Sequence, residues 1–276
     1  MRRVRRMFVD VPHGQVHVRS AGEGGVALVM LHASPFSAKV LEPLVARLGA
    51  TRRVLAPDTP GNGDSDPLPS EAPTIADFTA ALVQLLDVLG IDQADFYGAH
   101  TGARIAAELA LTQPARVRKL VLDGFGLYSS EALAEILATY APEIAPDDQA
   151  RHLLWAWHFV RDQHLFFPWF KRDSEHRYVR DMPDAATLHT LLLEVLKAIT
   201  TYHRSYRAAF RYSMAEALPR LTHPTLLAFA RDDMVFPLLE KAHALLPSAK
   251  AQPTPGVGSE AASDETARII GAFLEG

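Results

Sequence analysis

The chain has 276 residues, of which 48% are hydrophobic and 22% are charged. This length can bury a large core, and the composition is typical of a soluble globular protein. The formal net charge of −4 provides no overall field that would attract nucleic acid or an anionic membrane. The sequence contains no cysteine, which excludes disulfides, thiolate catalysis and cysteine-ligated metal sites.

Membrane insertion and secretion are not expected from the sequence either. No apolar run approaches the roughly 20 residues that a membrane-spanning helix needs. The basic start of the chain is followed by alternating polar and apolar residues at 8–18, which do not form the apolar segment of a signal peptide. We therefore expect a cytoplasmic protein without a membrane or nucleic-acid partner.

The first part of the chain alternates strand-like and helix-like patterns. Short apolar or alternating runs predict strands at 7–10, 15–19, 26–31, 53–56 and 119–122, and a further strand leads into Gly98. Apolar residues at helical spacing predict helices at 38–48, 74–90 and 104–111. Such alternation is typical of an α/β fold with a mostly parallel sheet flanked by helices.

The alternation stops between residues 126 and 216, where helical spacing dominates. Apolar and aromatic side chains from Leu188 to Phe210 follow one helical stripe, and all three tryptophans lie in this segment. Strand-like sequence returns at 225–230 and 249–254, and helices are predicted at 238–246 and 260–274. We therefore predict a core of residues 1–125 and 217–276 with an inserted helical cap at 126–216.

Two glycines four residues apart, Gly98 and Gly102, lie between a predicted strand and a predicted helix. This spacing indicates a sharp turn with little room for side chains, as in the Gly-x-Ser-x-Gly turn that presents a nucleophilic serine above a sheet edge. In this chain the turn reads Gly98-Ala99-His100-Thr101-Gly102, so a histidine occupies the position of the nucleophile. Any function assigned to the protein has to account for that exchange.

Four motifs give the chain a resemblance to the α/β-hydrolase fold family over essentially its whole length. His32-Ala33-Ser34-Pro35 resembles the family's His-Gly-x-Pro loop, and residues 57–66 resemble its Asp-x-Pro-Gly-x-Gly-x-Ser-Asp loop. Residues 98–102 resemble the nucleophile turn, and Asp233 with Pro237 resembles the acid loop. The predicted helical cap also falls where the family carries one, so the resemblance implies an α/β-hydrolase fold.

The resemblance further implies a triad in the order nucleophile, acid and histidine along the chain. The motifs place His100 at the nucleophile, Asp233 at the acid and Ser259 at the histidine, so serine and histidine have exchanged positions. The implied oxyanion hole consists of the backbone N–H groups of Ser34 and Thr101. Because a serine at 259 leaves the volume of an imidazole empty, we expect His100 to extend into it and pair with Asp233, directly or through Ser259.

This arrangement leaves four roles open. His100 can activate a water or take a proton from the substrate, which we favour. Ser259 can attack with His100 as its base, or His100 can itself attack to give an acyl-imidazole. Finally, the pocket can bind a ligand without catalysis. We predict a hydrolase or lyase for a small apolar ester, lactone or C–C bond substrate, with a catalytically silent ligand-binding protein as the alternative.

The remaining expectations concern the pocket and its partners. Trp157, His158 and His203 in the predicted cap are expected to border the substrate. The cap histidines lack the HExxH spacing of a zinc site, and neither a metal nor a cofactor is expected. Asp123 is a second candidate to orient His100, and the side chain of Thr101 is expected to point away from the pocket. The expected partner is a small-molecule substrate, and a homodimer is left open.

Overall fold

The computed structural model describes residues 1–178 and 181–276. Within these ranges, one sheet contains eight strands in the order β1-β2-β4-β3-β5-β6-β7-β8. The strands are β1 Arg5–Val11, β2 Gly14–Ala21, β3 Leu28–Leu31, β4 Val54–Pro57, β5 Ala94–Ala99, β6 Val117–Asp123, β7 Thr225–Leu227 and β8 Lys250–Ala251. The β1–β2 and β2–β4 pairs are antiparallel and all other neighbouring pairs are parallel. The sheet is therefore mostly parallel, as the sequence predicts.

Helices cover both faces of this sheet. They are α1 Glu42–Leu48, α2 Ile75–Val88, α3 Thr101–Thr112, α4 Ser130–Thr139, α5 Arg151–Gln163, α6 Ala185–Lys197, α7 Tyr202–Arg211, α8 Met214–Ala217, α9 Leu239–Leu245 and α10 Glu260–Glu275. One core joins α1 and α10 to the sheet, and a second core joins α2, α3 and α9 to its other face. No helix in the described ranges is long and apolar enough to cross a bilayer.

Burial on both faces explains the composition of the central strands. Every residue of β3 and β4 is buried, and both strands consist of apolar residues. A strand covered on both sides needs a continuous apolar run, whereas β1 at the sheet edge alternates exposed and buried positions. These central strands end at the sheet edge where the loops carrying the predicted site residues begin.

The segment between β6 and β7 has an aromatic core of its own. The rings of Trp155 and Phe159 stack with centroids 4.8 Å apart, and Trp169 meets Phe159 edge-on at 5.1 Å. Trp169 Nε1 donates a 3.0 Å hydrogen bond to the carbonyl oxygen of Tyr140. Aromatic pairs of this kind each contribute about 0.5–1.5 kcal/mol beyond their buried area. The predicted cap segment is thus helical around these rings, and its treatment as a separate unit at 126–216 remains a prediction.

The structure corrects two details of the predicted elements. The helical stripe from Leu188 to Phe210 belongs to two helices, α6 and α7. Thr201 lies between them, and its hydroxyl shares a hydrogen bond between the carbonyl oxygens of Gly61 and Ala198. Such side-chain bonds compete with helical backbone bonds. The predicted strand at 249–254 pairs regularly only in β8, because Pro253 has no N–H to donate and pairing resumes as a single bridge at Thr254.

Candidate active site

His100 occupies a strained turn at the carboxyl end of β5. Its backbone has φ of 49° and ψ of −100°, and it directly precedes the first residue of α3. A positive φ is rare for residues other than glycine, and such strain persists only where the surrounding structure holds it. The turn presents His100 at the sheet edge, as the glycine spacing predicts.

The two glycines of the turn are required by close backbone contacts. A Cβ on Gly98 would lie 2.3 Å from the carbonyl oxygen of Gly102. A Cβ on Gly102 would lie 2.2 Å from the carbonyl oxygen of Leu31 in β3. Both distances are far below van der Waals contact, so any side chain at either position would force the backbone apart.

The imidazole of His100 pairs directly with Asp233. Its Nε2 lies 2.7 Å from Asp233 Oδ2, while Asp233 Oδ1 accepts a 2.9 Å hydrogen bond from the backbone N–H of Val235. The predicted contact between His100 and Asp233 is therefore confirmed. Gly124 makes room for it, because a Cβ there would lie 3.1 Å from Asp233 Oδ2 and 3.3 Å from His100 Nε2.

This pairing assigns different tasks to the two ring nitrogens. A carboxylate can only accept, so Nε2 carries the proton that it donates to Asp233. In the neutral ring, Nδ1 then keeps its lone pair. The side chain of His100 is 32% exposed and lines the cavity described below.

The charges around the ring raise its affinity for a proton. Burial lowers the pKa of His100, but the charge of Asp233 and its hydrogen bond outweigh burial, so the pKa lies above its ordinary value. The charge of Asp123 raises the pKa further, and that of Arg104 lowers it. His100 is thus a base that holds a proton more strongly than an ordinary imidazole does.

Replacement of Asp233 by asparagine should lower the pKa of His100. Burial and the Arg104 charge would remain, while the strongest proton-stabilising partner would be lost. A neutral base is active, so the acidic limb of the activity profile should move to lower pH in Asp233→Asn. Titration of the His100 ring by NMR, alongside pH–rate profiles, measures both shifts. An unchanged or higher pKa in the variant would contradict the assigned role of Asp233.

Asp123 is engaged by a different partner. The hydroxyl of Tyr97 donates a 2.6 Å hydrogen bond to Asp123 Oδ2. Burial raises the pKa of Asp123 to about 7, although the Tyr97 hydrogen bond opposes the rise and the charge of Asp233 adds to it. The contacts therefore assign the orientation of His100 to Asp233, and Asp123 acts on the ring only through its charge.

The exposed side of His100 faces a cavity of about 130 Å³. Its lining residues are Ala33, Ser34, Phe36, His100, Thr101, Arg104, Gly126, Tyr128, Tyr140, Gln163, Phe167, Tyr206, Ala209, Phe210, Met234 and Val235. We call this space the His100 cavity. Aromatic rings from the helical segment cover it on one side, and the loops after β3, β5, β6 and β7 form the other.

The structure corrects the predicted pocket residues. Trp157, His158 and His203 do not line the His100 cavity. In α5 the buried face carries Phe159 and the cavity receives Gln163 one turn later, so positions 157 and 158 are rotated away from it. His203 is buried, but its Nε2 lies 3.9 Å from a carboxylate oxygen of Glu143 and not at the cavity.

Ser34 and Thr101 meet at the cavity wall, and their role as an oxyanion hole remains a prediction. The backbone N–H of Ser34 lies 3.4 Å from Thr101 Oγ1, and both residues line the cavity. The side chain of Thr101 therefore points towards Ser34, which corrects the expectation that it points away. The backbone N–H of Thr101 is at the start of α3 and has no acceptor one turn earlier within the helix.

Ser259 lies outside this site. Its exposed hydroxyl accepts a 3.1 Å hydrogen bond from the backbone N–H of Ala262 and thereby caps α10. The loop before it packs on Asp232, because a Cβ on Gly256 would lie 2.6 Å from Asp232 Oδ1. The expected participation of Ser259 is therefore corrected: the hydroxyl serves a helix end, and His100 reaches Asp233 without it.

His32 has a structural role in the loop after β3. Its side chain is fully buried, its Nδ1 donates to the Ala33 carbonyl oxygen, and its Nε2 accepts a 2.8 Å hydrogen bond from the Thr59 N–H.

His17, Asp58 and Asp64 offer possible metal-ligand atoms within 4.8 Å of one another. The Asp58 carboxylate already accepts from His17 Nδ1 and from the backbone N–H groups of Ala38 and Asp64. These contacts anchor the loops, and we assign no metal to them.

The sheet is mostly parallel and covered by helices, and a strained turn holds His100 against the loop acid Asp233. These features define an α/β-hydrolase-type architecture. The family model for the alpha/beta hydrolase fold matches residues 26–258. The chain therefore belongs to the α/β-hydrolase fold family, which confirms the predicted fold.

Individual relatives share this fold at moderate to low identity. A 2-hydroxy-6-oxononadienedioate/2-hydroxy-6-oxononatrienedioate hydrolase of Pseudomonas putida is 38% identical over 131 residues, and the match covers 45% of this chain but only 44% of that protein. A 2-hydroxymuconate semialdehyde hydrolase of Pseudomonas sp. strain CF600 is 31% identical over 78% of this chain and 72% of that protein. The crystal structure of an enol-lactonase from Burkholderia xenovorans LB400 superposes with a TM-score of 0.76 at 18% identity, over 98% of this chain and 100% of that one.

Proposed function

We propose that the protein is a hydrolase in which His100 acts as a general base on water. The observation that carries the proposal is the 2.7 Å pair between His100 Nε2 and Asp233 at the wall of a cavity. A base whose proton-holding nitrogen is fixed by a carboxylate presents its other nitrogen in one orientation. The named activities of the relatives are hydrolytic, which supports the same reaction class here.

The proposed reaction needs no covalent intermediate. Nδ1 of His100 removes a proton from a water, whose oxygen attacks the substrate carbonyl carbon. The displaced carbonyl electron pair becomes an oxyanion facing the N–H groups of Ser34 and Thr101. Collapse of this intermediate expels the leaving group, which takes the proton back from Nδ1. The products are an acid and an alcohol for an ester, or an acid and a carbon acid for a C–C bond substrate.

The contacts of Ser259 and Thr101 bear on the choice between the alternatives. Ser259 is exposed at a helix end, so it is dropped as a nucleophile. The hydroxyl of Thr101 lies where a carbonyl oxygen would meet the Ser34 N–H, so a substrate must displace or share that contact. Attack by His100 itself would give an acyl-imidazole, which an intact-mass measurement under turnover would detect.

The cavity favours a small substrate with an apolar body. Six aromatic side chains line it, namely Phe36, Tyr128, Tyr140, Phe167, Tyr206 and Phe210. His100, Ser34 and Thr101 line the same cavity, as do the polar side chains of Arg104 and Gln163. We propose a small apolar ester, lactone or C–C bond substrate whose carbonyl lies beside His100.

The test is a substrate panel with product analysis. Short-chain and aryl esters, γ- and δ-lactones and enolisable 1,5-diketones should be incubated with the protein, and the products identified by mass spectrometry. Turnover of one class that is lost in a His100 variant supports the proposal. Saturable binding of several panel members without turnover of any would replace it by the catalytically silent ligand-binding protein.

Serine-directed fluorophosphonates should not label this protein. Labelling needs a serine activated by a neighbouring base, and histidine occupies the turn position where such a serine is expected. Intact-protein mass after incubation checks the result, with a conventional serine hydrolase in the same tube as the positive control. Stoichiometric labelling of any serine, including Ser34 or Ser259, would contradict a mechanism that uses water as the nucleophile.

A further inference from the structure

Arg104 is a buried cation beside the His100 cavity. It lies one helical turn after His100 in α3 and is only 4% exposed. Its two terminal nitrogens donate to backbone carbonyl oxygens, NH1 to that of His100 at 3.0 Å and NH2 to that of Gly126 at 3.3 Å. Its Nε is buried without a hydrogen-bond partner in the described part of the chain.

No side chain among the described residues neutralises the charge of this guanidinium. No ion pair joins Arg104 to a carboxylate among residues 1–178 and 181–276. Burial of an unpaired charge is strongly unfavourable, and buried charges in proteins are normally paired. An external anion would supply the missing partner.

A second cavity beside Arg104 has a positively charged lining that suits such an anion. It has a volume of about 120 Å³, and Arg104, Gly126, Tyr128 and Phe210 line both this second cavity and the His100 cavity. Its other lining residues are Leu127, Leu133, Arg211, Tyr212, Ser213, Met214, Ala215 and Lys241. Among the described residues that line it, three side chains are cations and none is acidic.

The polar groups around the second cavity are suited to an oxyanion. Arg211 and Lys241 are exposed at its mouth, whereas Arg104 forms its buried wall. Glu108 approaches this region through the hydroxyl of Tyr212, which donates to it at 2.9 Å, and is not part of the lining. A buried guanidinium with an unused N–H and two flexible cations can surround a small anion through charge-assisted hydrogen bonds.

We propose that the second cavity binds a small oxyanion, a phosphate or a carboxylate, between Arg104, Arg211 and Lys241. This site is distinct from the substrate position proposed in the His100 cavity and does not depend on catalysis. Because the two cavities share Arg104, an anion in the second cavity also neutralises the cation next to His100.

The test is a titration of the folded protein with inorganic phosphate and, separately, with acetate. The Nε–H resonance of Arg104 reports binding in an NMR spectrum of the side chains. The variant Arg211→Gln/Lys241→Gln removes only exposed charges, so it should fold normally. Its matched control is Arg151→Gln/Lys250→Gln, which removes two exposed cations elsewhere.

The expected result is a saturable shift of the Arg104 signal with at least one of the two anions. The dissociation constant should rise about tenfold in Arg211→Gln/Lys241→Gln, since losing about 1.4 kcal/mol of attraction changes affinity by that factor, and it should not change in the control. A stronger response to phosphate than to acetate would identify a phosphate site, and the reverse a carboxylate site. Absence of a saturable shift would overturn the proposal. So would an affinity that does not depend on Arg211 and Lys241, because the anion would then lie in the His100 cavity.

Discussion

Replacement of His100 by asparagine should lower kcat by about 10²–10⁴-fold on the substrate that the panel identifies, because a positioned general base contributes a factor of that size. Asparagine is chosen because it tolerates positive φ better than most residues, so the turn at φ of 49° should be retained. KM should change much less than kcat, since the aromatic lining that binds the substrate is untouched. Steady-state kinetics with circular dichroism on the same samples give the measurement.

The matched control is His189→Asn, the same change at an exposed position of α6. It should leave both kinetic constants unchanged. An Asp233→Asn/His100→Asn double variant should be no less active than His100→Asn alone, because the acid acts only through the imidazole. Full activity in His100→Asn would exclude a role for the ring as base. Strictly additive losses in the double variant would instead give Asp233 a task of its own.

Replacement of Gly102 by alanine should destabilise the protein by more than about 4 kcal/mol, a loss found only for severe structural conflicts. The added Cβ would lie 2.2 Å from the carbonyl oxygen of Leu31 and 2.5 Å from its carbonyl carbon. These are backbone atoms of a central strand, so no rotamer change can relieve the clash. Urea unfolding of the purified variant measures the loss of unfolding free energy. Failure to obtain any soluble variant would indicate an even larger destabilisation.

Gly271 provides the control for that substitution. It lies inside α10, and a Cβ there would make an ordinary 3.8 Å contact with Leu48 Cδ2. Gly271→Ala should therefore stabilise the protein by about 0.5–1 kcal/mol, the usual gain from replacing glycine in a helix interior. If both variants lost stability equally, the close approach between α3 and β3 would not be the cause of the glycine requirement.

Local backbone chemistry explains why the turn and the His100–Asp233 pair could be predicted. The spacing of Gly98 and Gly102 between a strand and a helix permits few conformations, and each puts residue 100 at the sheet edge. The loop of Asp233 follows a strand of the same parallel sheet, so it reaches the same edge. Alternating strand-like and helix-like runs predict the mostly parallel sheet, whereas the α/β-hydrolase fold and the choice of Asp233 came from the resemblance of four motifs to the family.

Where the prediction was wrong, the position of the residue depends on tertiary geometry that short-range sequence patterns do not encode. Whether Trp157 or Gln163 faces the cavity is decided by the rotation of α5 against the sheet, and both residues are compatible with a helix. Ser259 can serve a loop site or cap a helix, and only the position at which α10 begins decides between them. Arg104 was not among the predicted site residues; the signal that could have marked it is a cation near the start of the helix that directly follows the turn.

The aromatic core between β6 and β7 also determines what an optical probe of this protein can detect. Trp155, Trp157 and Trp169 are all the tryptophans in the chain, and the sheet contains none. Tryptophan emission therefore reports on the helical segment alone, while far-UV circular dichroism averages over helices throughout the molecule. If the two signals change together in urea, the segment and the sheet unfold as one cooperative unit. If emission changes first, residues 126–216 open while the strands that hold His100 and Asp233 remain folded.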